Sequence, residues 1–167
     1  TGIKPNRAHY ALAKLERALR LTAVVTQNID GLHQLAGSRN VYELHGSIYR
    51  NHCMECGKSY TVEQLKDMPN VPICGCGGVI KPDVVLYEEG LDADTLRAAI
   101  THITRADMLI VGGTSLNVYP ASGLIDYYKG NKLALINKSE TPYDYRADLI
   151  INDSIGMALD KATEGLE

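Results

Sequence analysis

The chain has 167 residues, a mass of 18.3 kDa and a formal charge of −3, from 17 basic and 20 acidic side chains. This length is enough for a globular domain with a real core, and 45% hydrophobic and 22% charged residues are ordinary for such a domain. The mild acidity argues against nucleic acid as a partner, and no apolar run reaches the roughly 18 residues that a membrane span needs.

Helical and strand-like apolar patterns alternate along the chain. They predict, in order, a helix over 6–20, a strand over 21–26, a short helix closed by Gly37, a strand over 41–44 and a small helix at 61–68. There follow an apolar run over 84–87, a helix capped by Asp92, strands over 108–111, 133–136 and 149–151, and helices from about Pro120 and over 156–164. This alternation indicates an α/β fold with a parallel sheet covered on both faces.

The four cysteines lie within one short stretch, as two close pairs separated by 17 residues: Cys53, Cys56, Cys74 and Cys76. Two close pairs are typical of a tetrahedral zinc site. Two disulfides or four unliganded thiols are the alternatives that the spacing leaves open.

Polar clusters follow three of the predicted strands, at Gln27–Asp30, Gly112–Ser115 and Asn137–Ser139. Ligands of open α/β sheets bind beyond the carboxyl ends of the strands, where small residues allow a close approach and amides and hydroxyls bind ribose and phosphate. Turn formation is the alternative for each cluster alone. Neither the GxGxxG nor the GxxxxGK[ST] pattern is present, which argues against an ordinary Rossmann dehydrogenase.

His45 is the candidate acid–base group, because it stands at the end of a predicted strand and imidazole titrates near neutral pH. The other four histidines are expected to be structural or exposed.

Five ordered motifs extend over nearly the whole chain. They are TQNIDGLH at 26–33 with ELHGS at 43–47, the two cysteine pairs, KPDVVLYEE at 81–89, GTSLNVYPA at 113–121, and Ile136-Asn137 before Thr141-Pro142. Together they resemble the sirtuins, which are NAD-dependent protein-lysine deacylases. The resemblance implies a Rossmann-like, doubly wound parallel sheet over 1–47 and 79–167, with a small zinc-binding insert at 48–78.

The resemblance also implies a reaction. The acyl oxygen of an acyl-lysine, with acetyl as the expected group, attacks the ribose of NAD and releases nicotinamide. His45 then acts as general base on a ribose hydroxyl, and the products are free lysine and O-acyl-ADP-ribose. The implied partner is therefore an acyl-lysine protein or peptide, with NAD as cosubstrate and Zn²⁺ as a structural ion.

Individual roles follow from the same resemblance. The implied catalytic residues are His45, Asn28 and Asp30. The nicotinamide and its ribose are expected to contact Gln27, Asn28, Ile29 and Asp30. The phosphates and the adenosine are expected to contact Gly113, Thr114, Ser115, Asn137, Lys138, Ser139, Asp153 and Ser154. The acyl-lysine peptide is expected to add as a strand beside Val85, Leu86, Tyr87 and Val118.

The sequence departs from the family pattern in three places. The second cysteine pair is one residue tighter than CxxC, and Glu88, after Tyr87, stands where the family commonly has glycine. The family's Gly-Ala-Gly loop, with the first Rossmann strand, normally precedes the helix at 6–20. That first strand unit is expected to be missing from these residues, so we expect the 167-residue chain alone to bind NAD weakly or not at all.

Two alternative functions are compatible with the motifs. One is a zinc-stapled module that binds acylated peptides without turnover, and the other is an NAD-dependent protein ADP-ribosyltransferase. No targeting signal is recognisable, and a cytoplasmic location with neither nucleic acid nor membrane as partner is expected.

Overall fold

The structure, a computed structural model, describes residues 2–166. The helices are α1 Arg7–Arg17, α2 Leu32–Leu35, α3 Val62–Leu65, α4 Ala93–Arg105 and α5 Ile155–Ala162, with 3-10 helices at Ala121–Tyr127 and Asp144–Arg146. The strands are β1 Val24–Thr26, β2 Val41–Glu43, β3 Gly46–Cys53, β4 Ser59–Tyr60, β5 Ile80–Val84, β6 Leu109–Gly112, β7 Leu133–Ile136 and β8 Leu149–Ile151. None of the helices among these residues has the length and apolar character to cross a bilayer.

The chain forms two compact units. The first unit comprises the residues up to Val25, Leu32–Tyr42 and the residues from Ala93 onward. The second unit comprises Thr26–Gly31 and Glu43–Asp92. The domain bounds inferred from the sequence, with an insert at 48–78, stay a prediction.

A parallel sheet of three strands, in the order β6-β7-β8, forms the centre of the first unit. Every residue of the central strand β7 is buried, on both of its alternating faces, as expected for a parallel strand covered from two sides. One face packs against α1 and α5 through Ala8, Ala11 and Leu159, which cluster with Ile136. The predicted α/β class with a parallel sheet is confirmed.

Helix α1 starts one residue later and ends three residues earlier than the apolar pattern predicts. The Asn6 side chain accepts hydrogen bonds from the backbone N–H groups of Ala8 and His9, which fixes the start of the helix. Leu19 adopts a left-handed backbone with a φ of 56°, so the helix cannot continue to residue 20.

The second unit is built around an antiparallel sheet in the order β4-β3-β5. Its buried core consists of Cys53, Tyr60, Cys74 and Ile80, with Leu65 and Met68 packed against it. The apolar run at 84–87 lies mostly beyond the sheet, because β5 ends at Val84 and a turn follows at 87–88.

Strands β1 and β2 pair with each other in a separate two-stranded sheet, and the division between the units falls within both strands. The polar cluster that follows β1 therefore lies beyond a different sheet from the clusters that follow β6 and β7. The sequence pattern does not distinguish these arrangements, because it marks strands without naming their partners.

Candidate functional site

His45 lies on the short turn between β2 and β3, in the second unit. Its ring is half-buried, and Nδ1 lies 3.0 Å from the main-chain carbonyl oxygen of Gln27. A carbonyl oxygen can only accept a hydrogen bond, so Nδ1 carries the proton of the neutral ring and donates it. The Nε2 atom then keeps its lone pair and is available as a base.

The segment that supplies this carbonyl is held at both ends by backbone hydrogen bonds. The Leu44 N–H donates to the Thr26 carbonyl at 2.9 Å, and the Ile48 N–H donates to the Ile29 carbonyl at 3.1 Å. These bonds hold residues 26–29 beside the turn that carries His45.

The structure thus brings one predicted group together. Gln27, Ile29 and Asp30 are half-buried, and Asn28 is exposed next to them with its backbone N–H bonded to the Thr26 hydroxyl at 3.1 Å. These residues lie in one segment beside the turn of His45, and we call the segment together with His45 the histidine cluster.

Gly46, directly after His45, occupies a position where a residue with a side chain does not fit. Its φ is +76°, and an added Cβ would lie 1.8 Å from the carbonyl oxygen of Asp83. The close approach brings the end of β5 against the histidine turn, where the Val85 N–H donates to the His45 carbonyl at 3.1 Å. The predicted base and the predicted peptide-binding segment are therefore directly hydrogen-bonded.

Arg50 on β3 holds the same region from the other side. Its guanidinium contacts Glu43 at 2.8 Å and Asp83 at 3.1 Å. The Glu43 side chain is only 5% exposed, and the ion pair with Arg50 offsets the cost of burying a carboxylate. The two carboxylates hold the pKa of Arg50 above its ordinary value, against the opposing effect of burial.

Residues 84–89 form a tight turn, which we call the docking turn. The Glu89 carboxylate lies 2.8 Å from the Lys81 ammonium and accepts the Leu86 N–H at 2.9 Å. The Glu89 N–H donates back to the Leu86 carbonyl at 3.1 Å. The hydrogen bond from Lys81, and then that from the Leu86 backbone, keep the pKa of Glu89 below its ordinary value.

The backbone groups of the docking turn that a peptide could bond are not those of the residues predicted from the sequence. The N–H of Val85 and both backbone groups of Leu86 are already bonded within the second unit. Tyr87 is fully exposed and Glu88 is exposed beside it. Residues 2–166 provide no hydrogen-bond partner for the backbone of either residue, so these groups remain for a further strand.

In the first unit, the predicted phosphate-binding residues follow β6. A Cβ on Gly112 would lie 2.3 Å from the end of the Ile155 side chain, so a larger residue would have to displace that side chain at the start of α5. The Gly113 N–H donates to the Ile136 carbonyl at 3.1 Å. Thr114 turns its hydroxyl inward to accept the Leu116 N–H at 3.2 Å, and Ser115 next to it is exposed.

The ends of β7 and β8 lie at the same edge of this sheet, because Gly112 pairs with Ile136 and Ile136 with Ile151 in register. The residues predicted to line the adenosine follow there: half-buried Asn137 and Ser154, and exposed Lys138, Ser139 and Asp153. We call this set, with Gly113, Thr114 and Ser115, the sheet-edge cluster.

One detail of the sheet-edge cluster suits an anionic ligand. The Ser154 side chain stands at the start of α5 without making a capping hydrogen bond, and a helix start favours negative charge. Asn137 has its side-chain amide bonded to the Ser139 carbonyl at 2.9 Å, which fixes its orientation.

Val118, predicted to contact the peptide, also lies in the first unit and is about half exposed.

The four cysteine sulfurs all lie within 4.8 Å of one another. The Sγ atoms of Cys53 and Cys76 are 3.5 Å apart, and those of Cys56 and Cys74 are 3.7 Å apart. A zinc ion with bonds of 2.3 Å to four sulfurs at tetrahedral angles places neighbouring sulfurs about 3.8 Å apart. These distances fit a zinc ion and exceed a disulfide bond, despite the tight second pair.

Hydrogen bonds to Cys53 and Cys74 favour the thiolate form that zinc requires. The pKa of Cys76 is raised instead: the Gly78 backbone N–H lowers it, but the hydrogen bonds with the other three cysteines outweigh that effect. The Cys76 backbone N–H and the Tyr60 hydroxyl, which lies 3.0 Å from the sulfur, lower the pKa of Cys74 to about 6. The backbone N–H of Cys56 is the main reason that the pKa of Cys53 is also lowered. The donor set thus fits a structural zinc ion, because four thiolates fill all of its coordination positions.

Several residues of these clusters are not identified from the sequence. Arg50, Glu43 and Asp83 meet only because β3 pairs with β5, and Tyr60 reaches Cys74 because β4 pairs with β3. Lys81 and Glu89 flank an apolar run in the sequence. This pattern indicates the docking turn only when β5 is known to end between the two residues.

Comparison with known proteins agrees with this geometry. The family model described as the Sir2 family matches residues 1–120. A protein of Clostridium acetobutylicum named NAD-dependent protein deacetylase is 65% identical over 159 residues, which cover 94% of this chain and 65% of that protein. A Clostridium tetani protein of the same name is 59% identical over 165 residues, which cover 98% of this chain and 67% of that protein.

Solved structures give the same result. A complex described as Sir2 with a p53 peptide and NAD⁺ superposes with a TM-score of 0.90 at 44% identity, covering 96% of this chain and 70% of that one. Another, Sir2 bound to an acetylated peptide, has the same TM-score, identity and coverage. The chain thus spans about two thirds of the length of the curated relatives it matches. On the family match and these identities, the chain belongs to the Sir2 family.

Proposed function

We propose that this chain carries out NAD-dependent removal of acyl groups from protein lysines, with acetyl as the expected group. The products are nicotinamide and O-acyl-ADP-ribose. The observation that carries the proposal is the hydrogen bond from His45 Nδ1 to the Gln27 carbonyl, which leaves Nε2 free as a base. Relatives named NAD-dependent protein deacetylase and a Sir2 structure described with 2′-O-acetyl-ADP-ribose and deacetylated p53 peptide support it.

NAD supplies an ADP-ribosyl group whose bond to nicotinamide can be broken and whose ribose hydroxyl can take the acyl group. The task of the histidine cluster is to orient that ribose and to accept the proton of its hydroxyl at His45 Nε2. Removing such a base costs about 10² to 10⁴ in rate. The amide of Asn28 and the carboxylate of Asp30 supply the polar groups that a ribose and a carboxamide need.

The sheet-edge cluster is the proposed site for the phosphates and the adenosine. Gly113 gives close backbone access at the end of β6, and Ser115, Lys138, Ser139 and Asp153 are exposed. The N-terminus of α5 adds a partial positive charge beside Ser154, whose backbone N–H donates to the Asp153 carboxylate at 2.6 Å.

The acyl-lysine peptide is proposed to bind at the docking turn, where the unpaired backbone of Tyr87 and Glu88 can form strand-like hydrogen bonds. The contact of Val118 with the peptide stays a prediction from the sequence. The cysteine site is proposed to hold one zinc ion that stabilises the second unit without entering the reaction. A cytoplasmic location stays a prediction from the sequence.

Mass spectrometry of products tests the proposal. The chain is incubated with NAD and an acetyl-lysine peptide, both alone and joined at its N-terminus to a Gly-rich strand–turn–helix unit. The expected products are nicotinamide, O-acetyl-ADP-ribose and the deacetylated peptide. His45→Ala should abolish them, while His52→Ala, at a histidine outside the histidine cluster, the sheet-edge cluster and the docking turn, should not.

Other products would identify another function. ADP-ribose attached to protein would support the transferase alternative. Binding of the acetyl peptide by the joined protein, without release of nicotinamide, would support a binding module. Either result contradicts the proposed deacylation.

A further inference from the structure

The carboxylates around the docking turn differ in their partners. Asp83 is paired with Arg50 at 3.1 Å, and Glu89 is paired with Lys81 at 2.8 Å. Within residues 2–166, the Glu88 carboxylate makes neither an ion pair nor a hydrogen bond, and it is exposed to solvent. Glu88 therefore carries the uncompensated negative charge of this turn.

The position of Glu88 is fixed by its neighbours. Lys81 also donates to the Val84 carbonyl at 3.2 Å, so one ammonium joins the two ends of the docking turn. The reciprocal bonds between Leu86 and Glu89 close the turn around Tyr87 and Glu88. A charge held on such a turn acts at a defined place and not as a mobile side chain on a loose loop.

The backbone at Glu88 is left-handed, with a φ of 69°. A residue with a side chain is strained in this region, where glycine is not. A carboxylate is thus present where the backbone alone favours glycine, and it makes no contact that stabilises the fold. This combination indicates a contribution to binding and not to stability.

We propose that Glu88 is a specificity-determining residue, which selects acyl-lysines that lie in a basic segment, with Lys or Arg beside the modified lysine. The inference rests on the proposed function, because it takes the docking turn as the place where the acyl-lysine peptide binds.

The physical reason is the short distance between the two charges. Tyr87 and Glu88 offer the unpaired backbone groups, so a peptide strand bonded there runs directly past the Glu88 carboxylate. Neighbouring residues of a strand are 3.3 to 3.4 Å apart, and a charge on a residue flanking the acyl-lysine lies within the Debye length of about 8 Å at physiological salt. The acyl-lysine itself has lost its charge, so its flanking residues carry the electrostatic signal.

The expected effect is modest, because the pair is exposed. Exposed ion pairs typically change affinity by about two- to fivefold, and the change shrinks as salt rises. Glu89 is not expected to contribute in the same way, since Lys81 already neutralises it.

Fluorescence anisotropy with labelled peptides tests the inference and needs no NAD. Three acetyl-lysine peptides are compared, with the acetyl-lysine flanked on both sides by arginine, glutamine or glutamate, each alongside its unacetylated form. We expect the arginine peptide to bind the chain about two- to fivefold more tightly than the glutamine peptide, and the glutamate peptide more weakly. Glu88→Gln should remove these differences.

The matched control is Glu164→Gln, which removes one exposed carboxylate far along the chain near the end of α5 and should leave the preference intact. Equal binding of the three acetyl peptides by the unmodified chain overturns the inference and leaves the proposed function in place. Binding that does not depend on acetylation in any of the three overturns both. Persistence of the preference in Glu88→Gln overturns the assignment to this residue.

Discussion

The two compact units differ in how their residues are brought together. In the first unit, the strands of the parallel sheet are continuous apolar runs, and the buried faces are set by local periodicity. In the second unit, polar strands pair over long distances, and the core includes two of the four cysteines. The first unit is therefore stabilised mainly by apolar burial, and we expect the second to depend on the proposed zinc ion and on specific polar contacts.

The largest expected effect is the response of the two units to metal removal. Chelation, or Cys53→Ser, should unfold the second unit while the β6-β7-β8 sheet keeps its protection, because structural zinc contributes folding free energy directly. Hydrogen exchange measured residue by residue checks this. Met54→Ala, at an exposed neighbour of Cys53, is the control and should have no such effect. Equal loss of protection in both units would contradict the comparison.

Gly46→Ala tests the contact between the histidine turn and β5. The added Cβ meets the Asp83 carbonyl oxygen at 1.8 Å, so the strands must separate, and we expect a loss of about 3 kcal/mol or more in unfolding free energy. Gly57→Ala provides the control, since its φ is +69° but no atom lies within 4 Å of the added Cβ. That variant should lose only about 1 kcal/mol, as measured by denaturant unfolding, and similar losses in both would refute the close approach.

Arg50→Met should destabilise the second unit by about 1 to 2 kcal/mol, because it leaves the buried Glu43 carboxylate without its cation. The loss of unfolding free energy is small because the Arg50 side chain is 54% exposed and solvent screens the pair. Arg97→Met removes a fully surface pair with Asp94, whose side chains are 74% and 85% exposed, and should cost at most about 0.5 kcal/mol. Denaturation midpoints that do not separate the two variants would show that Glu43 does not depend on Arg50.

The smallest expected effect is a gain in stability. Glu88→Gly relieves the left-handed strain at φ 69° and should stabilise the chain by about 1 kcal/mol. Leu86→Gly, at a neighbouring position of the docking turn without a positive φ, should not stabilise it. A loss of stability in Glu88→Gly, measured by thermal unfolding, would show that its side chain holds the turn together.

The sequence predicted the first unit better than the second for physical reasons. Strand β7 and strand β8 match their predicted ranges because continuous apolar runs are a local signal. The eight-residue strand β3, GSIYRNHC, mixes polar and apolar residues, and it is a strand because β4 and β5 pair with it. Long-range pairing leaves no local pattern to read.

The same limit applies to the candidate site. His45 and the cysteines could be identified from residue type, spacing and motif. The partner of His45 is a backbone carbonyl 18 positions away, and a carbonyl is present at every residue, so no sequence signal marks it. The pairing of Lys81 with Glu89, which leaves Glu88 as the free charge, likewise requires the turn to be seen.

The central claim is that His45 has Nδ1 protonated by its bond to the Gln27 carbonyl and Nε2 free to act as base. Nitrogen-15 NMR of the imidazole rings, at a pH where His45 is neutral, measures which nitrogen carries the proton. The account predicts a protonated Nδ1 and an unprotonated Nε2 for His45. A neutral ring with the proton on Nε2 would contradict it, because the nitrogen available for catalysis would then be unable to accept a proton.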